Sequence, residues 1–179
     1  MILLILMDQA TGNKPYRTKI PKDLQVKVFR RDCWICRWCG RPVIFAPAMK
    51  YLERLVRSSG NAAPVAYHDA HWTRCNAPLL DRMGAVIDYV NSHSRRGPDV
   101  AENFATACNK CNAHKSHSAQ DEFRKKSQRR TVRGKYGEPQ DWDGLSTLFV
   151  ILVDGAGEIA SASERDWLKY LKRTAGAAT

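Results

Sequence analysis

A chain of 179 residues with 44% hydrophobic and 26% charged side chains has the balance of a soluble domain with a real core, not of a disordered or membrane-embedded chain. The net charge of +11 and pI near 9.6 are unusual; such an excess suits a polyanion, because neutralising phosphates releases condensed counterions, though it also serves solubility alone. Six cysteines, two tight pairs among them, fit a disulfide scaffold or a metal site, and without a secretion signal the metal is favoured.

The opening MILLILMD is too short to span a bilayer, and no basic residue precedes it as a signal peptide requires. It reads as a buried strand or an upstream start, and the chain is expected to be cytoplasmic. From Pro21 to Asp32 the pattern predicts a short helix, with Pro21 in its first turn and Leu24 and Val28 on one face. It leads into Cys33-Trp-Ile-Cys36-Arg-Trp-Cys39-Gly40. Cys36-x-x-Cys39-Gly is a zinc-knuckle signature, with Gly40 allowing the turn that aims backbone amides at the thiolates; by spacing alone a Cys33–Cys36 pair also fits. Paired with Cys108-x-x-Cys111, it supplies four thiolates for a tetrahedral, closed and therefore structural zinc. Cys33 and Cys75 are then left as free thiols expected to pack as small apolar groups.

Residues 41–84 separate the two halves of that site. A helix beginning at Pro47 is expected to turn Met49, Leu52, Leu55 and Val56 inward and to stop near Gly60. His68, Asp69 and His71 have a metal-ligand look, but as residues of a loop beside Trp72 they are read as surface groups. A short helical turn is expected over Ala77–Met83.

Val86-Ile-Asp-Tyr-Val90 reads as a strand, and Ser92, Arg95, Arg96, Gly97 and Pro98 turn the chain. Asn103, a second short strand or turn, and Cys108-Asn-Lys-Cys111 follow, the last opening a helix that carries Asn112 and Lys115. This ββα unit resembles the core of the zinc-containing HNH, or ββα-metal, endonucleases. Their motif runs roughly Asp-His-apolar, a loop ending in Gly, Asn-apolar, then Cys-x-x-Cys-(Asn/His)-x-x-Lys. The resemblance implies an α+β fold with a ββα-metal core, a four-cysteine zinc site, a helical insertion and a C-terminal helical extension. It covers about a quarter of the chain. The implied layout is an N-terminal segment 1–20, an HNH domain 21–120 with the insertion 41–84, a basic arm 121–141 and an extension 142–179. The insertion and tail look like those of some bacterial or phage HNH proteins.

By the same resemblance, Asp88 and Asn112 stand where the family holds a catalytic divalent ion. Hard oxygen ligands suit magnesium or manganese. Asn103 matches the middle Asn and is expected to tie the loop to backbone groups. Tyr89 stands where the family keeps its general-base histidine. A phenol near pKa 10 is a poor base at neutral pH. Three alternatives stay open: a Tyr89 whose pKa is depressed by metal and arginines, His93 approaching from the loop, or a slow or dead nuclease that still binds metal and DNA. Asp88 and Asn112 are also residues that make turn and helix-cap hydrogen bonds in any protein.

Arg95 and Lys115 are expected to meet phosphates. Arg124, Lys125, Lys126, Arg129, Arg130, Arg133 and Lys135 form a basic arm fit to follow a DNA backbone, though such a run is elsewhere only a solvated face. Gly134 to Pro139 reads as a linker. Residues 142–153 are apolar enough to pack as a helix or strand, and Ser163 is expected to open a last helix whose buried face is Trp167, Leu168 and Leu171. The function implied is a metal-dependent endonuclease or nickase acting on DNA, expected double-stranded. The alternatives are a catalytically silent DNA-binding module on the same fold and a zinc-ribbon protein for RNA or protein partners.

Overall fold

The computed structural model describes residues 19–60, 78–92, 96–115, 142–155 and 160–175. The opening MILLILMD, His68, Asp69, His71, Cys75, His93, Arg95, the basic arm with Arg129 and Arg130, and the 134–139 linker lie outside these residues. Helix α1 spans Lys22–Arg31, and Pro21 is its N-cap rather than part of its first turn. The Pro21 carbonyl accepts the amide of Gln25 at 3.0 Å. Val26, Val28 and Phe29 form the buried side of α1.

Helix α2 covers Ala46–Ser58 and α3 covers Pro78–Met83. Met49 is buried in α2, but so are Ala48, Tyr51 and Glu53, while Leu52, Leu55 and Val56 are only half-buried. The difference has a physical cause. The Tyr51 ring packs edge-on against Phe149, 6.2 Å between centroids, and Glu53 is matched by Arg57 one turn on at 2.7 Å. An apolar tally places neither group inward.

Strand β1, Ala85–Tyr89, runs antiparallel to β2, Phe104–Cys108, in a two-stranded sheet whose register pairs Ala85 with Cys108 and Tyr89 with Phe104. Helix α4, Asn109–Lys115, leaves β2 without a break. Asn109 anchors it: its amide nitrogen bonds Gly84 O at 2.9 Å, and its side chain bonds Leu80 O at 2.8 Å. The 142–153 stretch resolves as a helix, α5, Ser146–Gly155, followed by α6, Ala162–Ala175.

The cap of α6 is Ser161, not Ser163. Ser161 Oγ receives the Glu164 amide at 3.3 Å, and Glu164 Oε2 receives the Ser161 amide at 2.8 Å, a reciprocal capping box two residues upstream of the expected one. Ser163 instead accepts from Lys22 at the start of α1.

An aromatic chain runs through the core. Phe29 stacks on Trp34 at 5.0 Å, Trp34 meets Phe45 at 5.7 Å, and Phe45 takes Phe149 and Trp167 edge-on at 5.3 and 5.2 Å. Helices α5 and α6 therefore share one apolar interior with α1 and α2. Among the described residues no helix is long and apolar enough to cross a membrane.

Candidate functional site

Two turns bring four sulfurs together. After α1 the chain reverses through Cys36–Gly40, with the Gly40 amide on Cys36 O at 2.8 Å and Gly40 at φ 68, where a Cβ is disfavoured. Cys108 ends β2 and Cys111 sits in the first turn of α4, its amide 3.4 Å from Cys108 Sγ. The Sγ atoms of Cys36, Cys39, Cys108 and Cys111 all lie within 4.8 Å of one another, so the cluster could hold a metal ion. Cys39 and Cys108 sulfurs are 3.9 Å apart. A disulfide needs about 2.05 Å, whereas a tetrahedron of sulfurs about 2.3 Å from zinc spaces them about 3.8 Å apart. The donor set and spacing fit zinc.

Cys108 as hydrogen-bond partner raises the Cys36 thiol pKa and lowers that of Cys39; Cys111 lowers Cys108, and Cys108 raises Cys111. Four thiols crowded into one small volume cannot all ionise without a cation to offset their mutual repulsion. Cys33 is not part of this group. It is exposed, with φ 52, rather than packed as a small apolar residue, because the left-handed turn that starts the knuckle swings it outward.

The second group adjoins the first. Asp88, on β1, is 7% exposed, and its Oδ2 accepts the Trp38 indole N–H at 2.7 Å and Lys115 Nζ at 2.9 Å. Lys115 Nζ also donates to Tyr89 O and lies 4.7 Å from the centre of the Trp38 ring. Lys115 was expected to face a phosphate. It is instead 3% exposed, because a desolvated ammonium at the end of α4 is held by the nearest buried carboxylate. Among the described residues both hydrogen bonds to the Asp88 carboxylate fall on Oδ2, which leaves Oδ1 as the atom for another partner. Asn112 stands three residues before Lys115 on α4, hence on the same helix face, and is half-buried.

Tyr89, the next residue of β1, is 2% exposed and packs edge-on against Phe104 at 5.0 Å. Asn103 spans the loop between the strands. Its Oδ1 accepts the Asn91 amide at 2.8 Å, and its Nδ2 donates to Asn91 O at 3.0 Å and Pro98 O at 2.9 Å. Gly97 lets this loop close: a Cβ there would run into Asn91 O. The side-chain amide of Asn103 is thereby committed to holding backbone.

The structure thus unites Asp88 and Lys115, places Tyr89 and Asn112 on the neighbouring strand and helix positions, and gathers all four expected cysteines. Trp38 was missed. Its only signal is a large amphipathic ring, with one N–H to satisfy, set between two ligand-type cysteines.

A two-stranded antiparallel sheet followed directly by a helix, with a cysteine pair at the join, defines a ββα unit that can carry metal. Residues 73–118 match the HNH endonuclease family model, so this unit is an HNH domain. The match is a minority of the 179 residues and excludes Cys36 and Cys39, which the fold alone brings to Cys108 and Cys111. Comparison with curated proteins and with solved structures found no match.

Proposed function

We propose that the chain is a metal-dependent DNA endonuclease or nickase, with zinc held by Cys36, Cys39, Cys108 and Cys111 as a structural ion. The observation that carries this reading is the buried Asp88 carboxylate, set on the HNH-matched strand beside the cysteine centre and facing α4. Asp88 Oδ1 and the Asn112 amide oxygen are the residues that would hold a magnesium or manganese ion; hard oxygen donors fit such an ion. When bound, the ion supplies countercharge to the phosphorane-like transition state and to the leaving 3′ oxygen. The chain itself does the rest. Trp38 and Lys115 hold the carboxylate, Asn103 holds the loop that follows residue 89, and the 124–135 basic arm, with Arg95, Arg129 and Arg130, supplies duplex contacts. The domain layout of an HNH unit with its insertion, a basic arm and a packed C-terminal extension goes with this reading, as does a cytoplasmic place of work beside DNA.

A second reading, a catalytically silent DNA-binding module, is favoured by one observation: the Tyr89 side chain is buried against Phe104 rather than presented to solvent. General-base assistance is worth a factor of about 10² to 10⁴, so loss of an imidazole leaves binding intact and slows the chemistry. Plasmid cleavage with magnesium, manganese or chelator separates the two. Tyr89→His is expected to raise ion-dependent cleavage by about 10² or more at neutral pH, and Asp88→Ala to abolish it in both backgrounds. Robust cleavage in chelator, or activity that survives Asp88→Ala, overturns the nuclease reading as stated.

A further inference from the structure

We infer that Trp38 is a positioning residue that fixes the Asp88 carboxylate for its divalent ion and so joins the four-cysteine centre to the hydrolytic site. The inference rests on the reading of Asp88 as a metal ligand. A carboxylate on its single methylene swings freely, since its terminal torsion is broad. Here Oδ2 is pinned from two directions, by the indole N–H at 2.7 Å and by Lys115 Nζ at 2.9 Å. The two donors are themselves joined, because the ammonium lies over the face of the same indole at 4.7 Å.

Trp38 is 4% exposed and cannot drift, for its chain neighbours on either side lead to Cys36 and Cys39, and the Arg37 amide bonds Thr106 O at 2.9 Å on β2. A buried indole finds some acceptor in any protein. What distinguishes this one is the acceptor, a carboxylate fifty residues away in sequence rather than a backbone carbonyl of its own turn. Whatever closes the knuckle thereby sets the direction of the Asp88 carboxylate. Outer-shell partners of a metal ligand are worth roughly 10–100-fold in metal affinity.

The test uses zinc-loaded full-length protein. Trp38→Phe keeps the ring face under Lys115 and removes only the N–H. Its zinc content should stay at the parental value and it should remain folded, with a lower melting temperature for the lost charge-assisted bond, while manganese affinity, read by electron paramagnetic resonance titration, falls about tenfold or more. Manganese binding that Asp88→Ala abolishes but Trp38→Phe leaves at parental affinity overturns this inference alone. Binding that Asp88→Ala does not weaken overturns the metal reading and this inference with it. If Trp38→Phe loses its zinc, the indole itself decides. In ¹⁵N-labelled protein the Trp38 indole proton should move upfield in Asp88→Asn, as a charge-assisted bond becomes a neutral one; an indole signal that stays in place overturns the proposal.

Discussion

A carboxylate, an ammonium and an indole meet in the interior at Asp88, Lys115 and Trp38, and the energetics of that meeting are lopsided. Forming a buried ion pair gains little, since desolvating both charges offsets their attraction, but removing one partner leaves the other buried and uncompensated at a cost of about 3–5 kcal/mol. Lys115→Met keeps the long stem and deletes the charge. In zinc-loaded protein without added manganese it should lower stability by about that amount, and manganese should restore part of the loss by occupying the place beside Asp88. Thermal melts with and without manganese read both effects; a zinc-loaded variant as stable as the parent without manganese would show that the pair carries no such weight. At this scale the sequence made Asp88, Tyr89, Asn103 and Asn112 visible because they fall at motif spacings. It hid the Lys115–Asp88 pair, since a lysine at a helix end looks like any solvated cation until the fold sets it 27 residues back along the chain against a carboxylate.

The two C-terminal helices, α5 and α6, are held at their starts by carboxylates. Asp143 takes the amides of Leu145 at 2.9 Å and Thr147 at 2.7 Å ahead of α5. Burial alone would push its pKa up, but the bonds from Thr147, Leu145 and Ser146 outweigh that and leave it below the usual carboxylate range. A folded-state pKa below the unfolded one gives stability that is present above the ordinary carboxylate pKa and lost as pH falls through the folded value. Asp143→Ala should therefore cost about 1 kcal/mol at neutral pH, and the gap from the parent should close on acidification. Urea titrations across that range check it, and a gap that widens in acid contradicts the cap.

Helices α1, α2 and α3, the strand and the α4 start were legible from periodicity, proline placement and the cysteine pair. The true cap of α6 was not: Ser161 and Ser163 look alike on paper, and Ser161 wins because Glu164 sits three residues after it and also meets Arg54 of α2. That second tie is tertiary, and no local pattern contains it.

For the molecule as a whole, the cysteine centre is one clasp between α1 and the HNH-matched unit, beside the shared core and the Asp32–Thr106 hydrogen bond. The two halves of the site are separated by 69 residues from Cys39 to Cys108, and hydrogen bonds such as Thr106 N–H to Asp32 Oδ2 and Arg37 N–H to Thr106 O fasten the same segments beside it. Because such a site exists only in the folded chain, its binding energy is folding energy. Cys108→Ser, or prolonged exposure to a strong chelator, is expected to unfold or aggregate the protein, with zinc measured by elemental analysis falling in step with loss of helical circular dichroism. A pure, stably folded protein without zinc would defeat this. Composition made the clasp legible, since paired cysteines in a basic chain point to metal. It gave no hint that Phe45 would be sandwiched by Phe149 and Trp167, which makes the C-terminal helices part of the same interior.

That separation also has a consequence in time. A ribosome adds about 5–20 residues per second, so Cys36 and Cys39 wait for seconds before Cys108 and Cys111 exist to join them. Throughout the wait an accessible thiol, Cys33, sits three positions upstream of Cys36, where the finished fold keeps it exposed and outside the cluster. An oxidising moment during that interval can close the wrong ring. Refolding in the presence of a mild oxidant should accumulate a Cys33–Cys36 or Cys33–Cys39 crosslink, visible by mass mapping of alkylated peptides, and Cys33→Ser should raise the yield of zinc-loaded protein; equal yields with no crosslink in the parent would mean the nascent knuckle guards itself.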